Sequence, residues 1–290
     1  MKIVHVLGGL GNQMFQYAFA IALKNEFPTD VIKIDVSTFN GYNLHNGFEI
    51  EKIFGKHLQH ASFIDICKVS WPFFHYRLWQ IGMRILPQRS SMVRDKAFPT
   101  EFKFESIQNK KYFLGYWGQS KFFEKYRNEI LKVFSFPKIT DNNNLHAIDF
   151  IKSKKTAFIH VRRGDYINHP TLGGVCTVEY YVRAIHRLRT EFNYNHFIVF
   201  SNDIPWCRET FKEQLSDSET LFVDWNKGVN SFRDMQLMSY CQSGIIANSS
   251  FSYWGAWLSD AEIILRPEKW TNGEGYLKDI LPEKWERVCL

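Results

Sequence analysis

Short apolar runs rich in β-branched and aromatic residues alternate with longer segments whose apolar positions recur at helical spacing. That alternation predicts βαβ units and parallel sheets. In the first half, strands are predicted over residues 3–7 and 31–35, with a helix over 12–25 between them. The middle is richer in helix, and a short strand at 112–114 precedes a helix over 120–134. A polar cluster at 138–144 reads as a linker or loop near a domain boundary. The second half is more regular, with strands at 156–161, 196–200, 220–223, 244–247 and 262–265. Helices are predicted between them over 178–192, 205–214, 232–241 and 251–259. This is the pattern of a doubly wound domain, whose ligands sit at the carboxyl ends of the strands. The expected division is 1–140 and 141–290.

The length of 290 residues fits one large or two medium domains. Aromatics reach 17%, with 26 Phe and 9 Trp, enough to wall a site for bases or sugar rings or simply to fill a core. The net charge of +6 suits an anionic ligand or a weak attraction to an anionic membrane. No basic stripe or binding motif points to nucleic acid. Cys67, Cys176, Cys207, Cys241 and Cys289 are scattered and lack paired spacing, so they read as reduced thiols of a cytoplasmic protein. The apolar run before Gly8 is too short for a signal peptide, and no stretch approaches a membrane span.

Three segments carry candidate chemistry. After the first strand comes Gly8-Gly9-Leu10-Gly11-Asn12-Gln13-Met14. Gly9 and Gly11 match two of the three glycines of a dinucleotide fingerprint, with Asp35 ending the second strand, but Met14 stands at the third. A tight turn, or a backbone approach to substrate with Asn12 and Gln13 as hydrogen-bonding groups, explains the segment equally well. The strand over 156–161 runs into Arg162-Arg163-Gly164-Asp165-Tyr166. A guanidinium at a strand's carboxyl end can grip phosphate oxygens bidentately, or it can pair with a carboxylate such as Asp165. The strand near Ile245 leads into Asn248-Ser249-Ser250-Phe251-Ser252 at a helix start. One serine suffices to cap a helix, so three hydroxyls and an asparagine favour an anion on the free amides. Ser231 and Asp234 have capping-box spacing and need no ligand. Asp217-Ser218-Glu219 is the nearest approach to a metal-binding acidic pair, but it lies in a polar loop.

Residues 71–92 form a basic amphipathic segment. Phe74, Leu78, Ile81 and Ile85 share one helical face, and Arg77, Gln80 and Arg84 share another. Packing of the apolar stripe on the domain, with arginines in water, is the favoured expectation. Weak peripheral contact with a membrane is the alternative.

Residues 8–18, His160 to Tyr166 and Asn248 to Leu258 together resemble the α-1,2-fucosyltransferases, inverting enzymes that use GDP-fucose. The likeness spans nearly the whole chain. It implies the glycosyltransferase B arrangement, two facing Rossmann-like domains, with acceptor on the N-terminal half and GDP-sugar on the C-terminal half. A last helix packing back on the first domain belongs to the same expectation. The resemblance implies that Arg162 binds the β-phosphate, that His160 and Asp234 recognise guanine, and that Ser249, Ser250 and Phe251 grip the diphosphate. It puts Asn202 near the donor and Gly9, Gly11, Asn12 and Gln13 at the acceptor cleft. The implied reaction moves L-fucose to the 2-hydroxyl of a terminal galactose, in a glycan that can be lipid-linked. No cofactor or metal is expected. Asp165, with His169 behind it, is the candidate general base. The absence of an anchor fits a bacterial-type cytoplasmic enzyme, peripheral at most. The rivals are another fucosyl linkage or GDP-sugar, a nucleotide-dependent oxidoreductase built on Gly9, Gly11 and Asp35, and a non-catalytic binding module.

Overall fold

A computed structural model describes residues 1–98, 101–273 and 280–289. The chain divides into two compact units, Met1–Pro137 and Lys138–Leu290. In the first, strands β1 (Lys2–His5), β2 (Ile32–Asp35), β3 (Gln59–His60), β4 (Met92–Arg94) and β5 (Tyr112–Leu114) form one parallel sheet, ordered β3-β2-β1-β5-β4. Helix α1 (Leu10–Glu26) buries 13 of its 17 residues, so it is apolar nearly all round, as an enclosed helix must be. Four helices complete the unit: α2 (Ile50–Phe54), α3 (Phe63–Val69), α4 (Tyr76–Ile85) and α5 (Arg127–Val133). Many of the aromatics go into this core. Trp117 stacks on Phe19 at 4.0 Å, and Phe113 and Phe122 meet that pair edge-on.

Two expectations fail in this unit. The helix over 120–134 shortens to α5, preceded by 3₁₀ turns at Ser120–Phe122 and Glu124–Tyr126. The adjacent Phe122 and Phe123 are both buried, and the tighter turns seat both rings inward. The amphipathic segment does form helix α4, but its apolar stripe faces out. Trp79, Met83 and Gly82 make the packing face instead.

The second unit opens on α6 (Asn142–Ser153). The polar cluster at 138–144 is therefore largely a helix start, with Asp141 Oδ1 accepting from the Asn144 amide at 2.9 Å. The following elements are β6 (Thr156–Val161), α7 (Val178–Thr190), β7 (His196–Ser201), α8 (Ile204–Thr210) and β8 (Glu219–Val223). They lead on to α9 (Phe232–Met238), β9 (Ser243–Ile245), α10 (Ser250–Trp257), β10 (Ile263–Pro267) and β11 (Glu286–Val288). The six strands are parallel, in the order β11-β10-β9-β6-β7-β8. Among the described residues no helix follows α10, and the last element is strand β11.

Strand β6 is buried at all six positions, which is why it reads as an unbroken apolar run rather than an alternating one. On one side, Tyr180, Tyr181, Ala184, Ile185 and Leu188 of α7 cover it. From β6 the chain steps outward through β7 and β8, crosses back to β9, and steps outward the other way. Residue Ile159 of β6 lies beside Ile245 of β9. The loops leaving these two strands diverge to opposite faces, which opens a crevice at their carboxyl ends.

The pairing of β6 with β9 depends on Gly244. A Cβ there would lie 2.1 Å from the buried Phe158 ring. Gly244→Ala is expected to cost about 1–3 kcal/mol through overpacking, read as an earlier denaturation midpoint. An unchanged midpoint would mean that the two strands do not abut as described.

Candidate active site

Arg162 leaves β6 at the crevice. Its Nη2 donates to Asp165 Oδ2 at 3.0 Å, while Nε lies 2.9 Å from Oδ1 as an ion pair without hydrogen-bond alignment. The guanidinium also stands 5.6 Å from the centre of the Tyr166 ring. Nη1 remains for a further acceptor, because guanidinium carries five donors. Arg163 has a different fate. Its Nε pairs with Asp203 at 3.1 Å and its guanidinium lies 4.2 Å over Trp206. Its amide donates to Asn202 Oδ1 at 2.9 Å. Asn202, expected near the donor, therefore braces the arginine loop through its oxygen. The bracing requires Gly164, whose φ is +21° and whose Cβ would lie 2.4 Å from Asn202 Nδ2.

His160 is buried at the end of β6, its ring 5.8 Å from that of Phe251. Burial, reinforced by Arg162, holds its pKa down to about 3. The imidazole is neutral at working pH, and its Nδ1 has no protein partner. It can exchange a hydrogen bond with a ligand but cannot act as a base that is protonated near neutrality.

Beside β6, the chain leaves β9 through Asn248 into α10. Most of the hydroxyls that suggested an anion site are used by the fold. Ser249 Oγ caps α10 by accepting from the Phe251 amide at 3.3 Å. Ser252 Oγ bonds back to the carbonyls of Ala247 and Ser249. Asn248 Nδ2 ties down the carbonyls of Leu172 and Trp270, each at 3.0 Å. Ser250 is half-buried at the first position of α10, where helix amides have no intrahelical acceptor. The groups this helix end leaves open to a ligand are thus its first amides and Ser250, not a row of serines.

Asp234 lies in the first turn of α9, which packs on α10. The expected capping box does not form, since Ser231 makes no side-chain cap. Asp234 Oδ1 instead accepts from Asn226 Nδ2 at 2.8 Å, and burial raises its carboxyl to about 7. Asn226 is bonded in turn to Asn144, which receives Trp225 Nε1 at 3.0 Å and binds the cap Asp141. Sequence reasoning missed Asn226 and Asn144. The available signal was that Trp225-Asn226 follows a strand's carboxyl end.

Of the acceptor-side residues, Gly9 and Asn12 reach the surface, whereas Gly11 and Gln13 are buried. Gln13 Nε2 donates to the Gly8 and Gly47 carbonyls, both at 2.8 Å, and its Oε1 accepts from the Glu49 amide at 2.9 Å. Its amide is spent on the fold, which removes Gln13 as a substrate contact. Asp35 is likewise engaged. Oδ1 accepts from Ser37 twice and Oδ2 accepts from the Tyr112 hydroxyl at 2.6 Å. Both oxygens are engaged and the carboxylate is buried, so it is not presented to a ribose and the oxidoreductase reading loses its acidic residue. His169 Nδ1 accepts from the amides of Thr171 and Leu172, a turn rather than a base. Glu219 pairs with Lys154 and His196 and Asp217 with Arg189, so neither acid faces the crevice. Among the described residues, no group of three or more side chains could hold a metal ion.

A cavity of about 210 Å³ joins Arg162, Tyr166, Cys176, Tyr181 and Asn248. A larger one, about 630 Å³, lies along α7 and the end of β11. The three arginines on its α7 wall are all paired with acids, Arg183 with Glu179, Arg187 with Glu191 and Glu286, and Arg189 with Asp217. The smaller cavity is the better candidate, because it lies at the carboxyl end of β6 and is lined by Arg162 and by Asn248, which follows β9.

Comparison with known proteins fits this geometry. An alpha-1,2-colitosyltransferase of Escherichia coli is 33% identical, covering 99% of this chain and 98% of the relative. The galactoside alpha-(1,2)-fucosyltransferase 2 of Mus musculus is 26% identical over 90% of this chain and 69% of its own. Among solved structures, POFUT1 in complex with GDP is 15% identical with a TM-score of 0.42, covering 90% of this chain and 94% of that one. Residues 1–286 match glycosyl transferase family 11. The chain belongs to that family.

Proposed function

We propose that the protein transfers L-fucose from GDP-β-L-fucose to the 2-hydroxyl of a terminal galactose, with inversion, forming an α-1,2 linkage. In this reading the second unit holds the donor and the first binds the acceptor glycan, with Gly9 and Asn12 at the acceptor side. The observation that carries it is that Arg162 and Asn248, which leave the paired strands β6 and β9, line one cavity, with α10 beginning two residues after Asn248. Both α-1,2 relatives support the linkage, but their names differ in the sugar moved, so a different GDP-sugar is the second reading.

As the bond from the sugar to the diphosphate breaks, negative charge grows on the leaving phosphate. Arg162 Nη1, the amides opening α10 and the Ser250 hydroxyl are the donors that would meet that charge. Neutral His160 and the Asp234–Asn226 pair would read the guanine edge. The acceptor hydroxyl attacks from the opposite face. Asp165, paired with Arg162, orients the guanidinium. These cationic and dipolar donors do the work for which other transferases use magnesium.

Incubation with GDP-fucose and a panel of galactosides, read by mass and linkage analysis, tests the reading directly. An α-1,2-fucosyl product is expected, and hydrolysis or no product would refute it. Arg162→Ala is expected to lower kcat by at least about a hundredfold, the usual loss for one such donor, with the unfolding midpoint retained. Ordinary turnover by that variant would remove the phosphate argument. Saturating chelator should leave the initial rate unchanged, and a loss restored by divalent metal would contradict the proposed division of labour.

Guanine offers N–H donors, so Asp234 must be ionised to accept from them. Its raised pKa of about 7 therefore means that GDP affinity falls as pH is lowered through neutrality. The diphosphate titrates in the same range. Asp234→Asn supplies the control, and only the part of the pH dependence that disappears in it belongs to this carboxyl. Identical profiles in both proteins would dismiss Asp234 from base recognition.

A further inference from the structure

Helix α4 turns its apolar stripe to solvent. Leu78, Ile81 and Ile85 are 58%, 54% and 73% exposed. At ~100° per residue, these three point about 150° away from Trp79 and Met83, which pack on the unit. Beside them lie exposed Phe63, Ile64 and Phe74, the two phenyl rings 4.6 Å apart. Seven large apolar side chains, counting Leu86, are thus exposed on α3, α4 and the chain flanking them. A patch of this kind on a folded domain marks a contact surface.

The charges around the patch name its partner. Residues 61–94 contain Lys68, Arg77, Arg84, Arg89 and Arg94 against the single acid Asp65. Asp65 is itself neutralised by Lys33 at 2.7 Å. Neither Arg77 nor Arg84 forms an ion pair among the described residues. On the helix they fall to one flank of the stripe, about 70–90° from its centre, where the head of an arginine meets the water boundary if the stripe is immersed. A second copy of the chain is disfavoured, since it would set two such basic patches against each other.

We propose that the α3–α4 face is a membrane-docking surface that lays Leu78, Ile81 and Ile85 into the interface of an anionic bilayer while Arg77 and Arg84 engage its headgroups. The helix would lie in the plane of the interface, about 15 Å long, with its apolar side at acyl depth. Such docking would bring a soluble catalyst to acceptors carried on lipid. It does not depend on which sugar is transferred.

The test is co-sedimentation of the full chain with vesicles of phosphatidylcholine alone and with added phosphatidylglycerol. Binding is expected only with the anionic lipid at low salt, weakening as salt rises. Arg77→Ser with Arg84→Ser should weaken it about 30-fold, roughly fivefold per charge. Leu78→Ser, Ile81→Ser and Ile85→Ser together should abolish it while the unfolding midpoint holds. Absence of binding by the parent protein, or full binding by the triple variant, would overturn the proposal. So would a dimer in sedimentation analysis that the triple variant dissociates without any vesicle binding, since that result would assign the face to a second copy.

Discussion

The site depends on a constraint of backbone topology. Two parallel strands, β6 and β9, are neighbours in space yet far apart in the chain, and the connections leaving them depart in opposite directions. Close packing everywhere else leaves that junction as the place where a crevice must open. Gly244 lets the strands approach, α7 covers one side and α9 and α10 pack together. Arg162 and the first turn of α10 are brought to one edge because the strands that carry them are paired, not because either sequence motif specifies a shape.

Around that edge, the protein manages charge by removing most of it. His160 is kept neutral by burial and by the neighbouring guanidinium, and Asp234 is held up to about 7. Arg163 is occupied by Asp203 and Trp206. Arg162 keeps an unspent donor although it is paired with Asp165. A diphosphate bound there, as the proposed function requires, would meet one strong cation and a helix end rather than a diffuse basic field, which would favour a defined pose over general attraction to anions.

Much of this was legible in the sequence. The unbroken apolar run of β6 and the alternation of strand and helix gave the second unit nearly element by element, because regular βαβ units repeat one pattern. The first unit was harder. Strands as short as Gln59–His60 carry too few residues to show a period, and the 3₁₀ turns around Phe122 follow from where the rings must go. Side-chain roles were less legible than positions. Gln13, Ser249, Ser252, Asn248 and Asn202 have the chemistry of ligand-binding groups, but each has at least one polar atom engaged by the backbone nearby. Spacing can show that a polar residue lies at a strand end, whereas only the fold shows whether its hydrogen bonds are already spent. Helix α4 teaches the converse lesson, since periodicity found its apolar stripe but could not say which way it faced.

The most direct measurement of the central claim is a crystal structure of the protein with GDP bound. The account predicts the β-phosphate within hydrogen-bonding distance of the Arg162 guanidinium and of the Ser250 amide or hydroxyl. A diphosphate seated along α7 and β11, or bound at the crevice without touching Arg162, would contradict it.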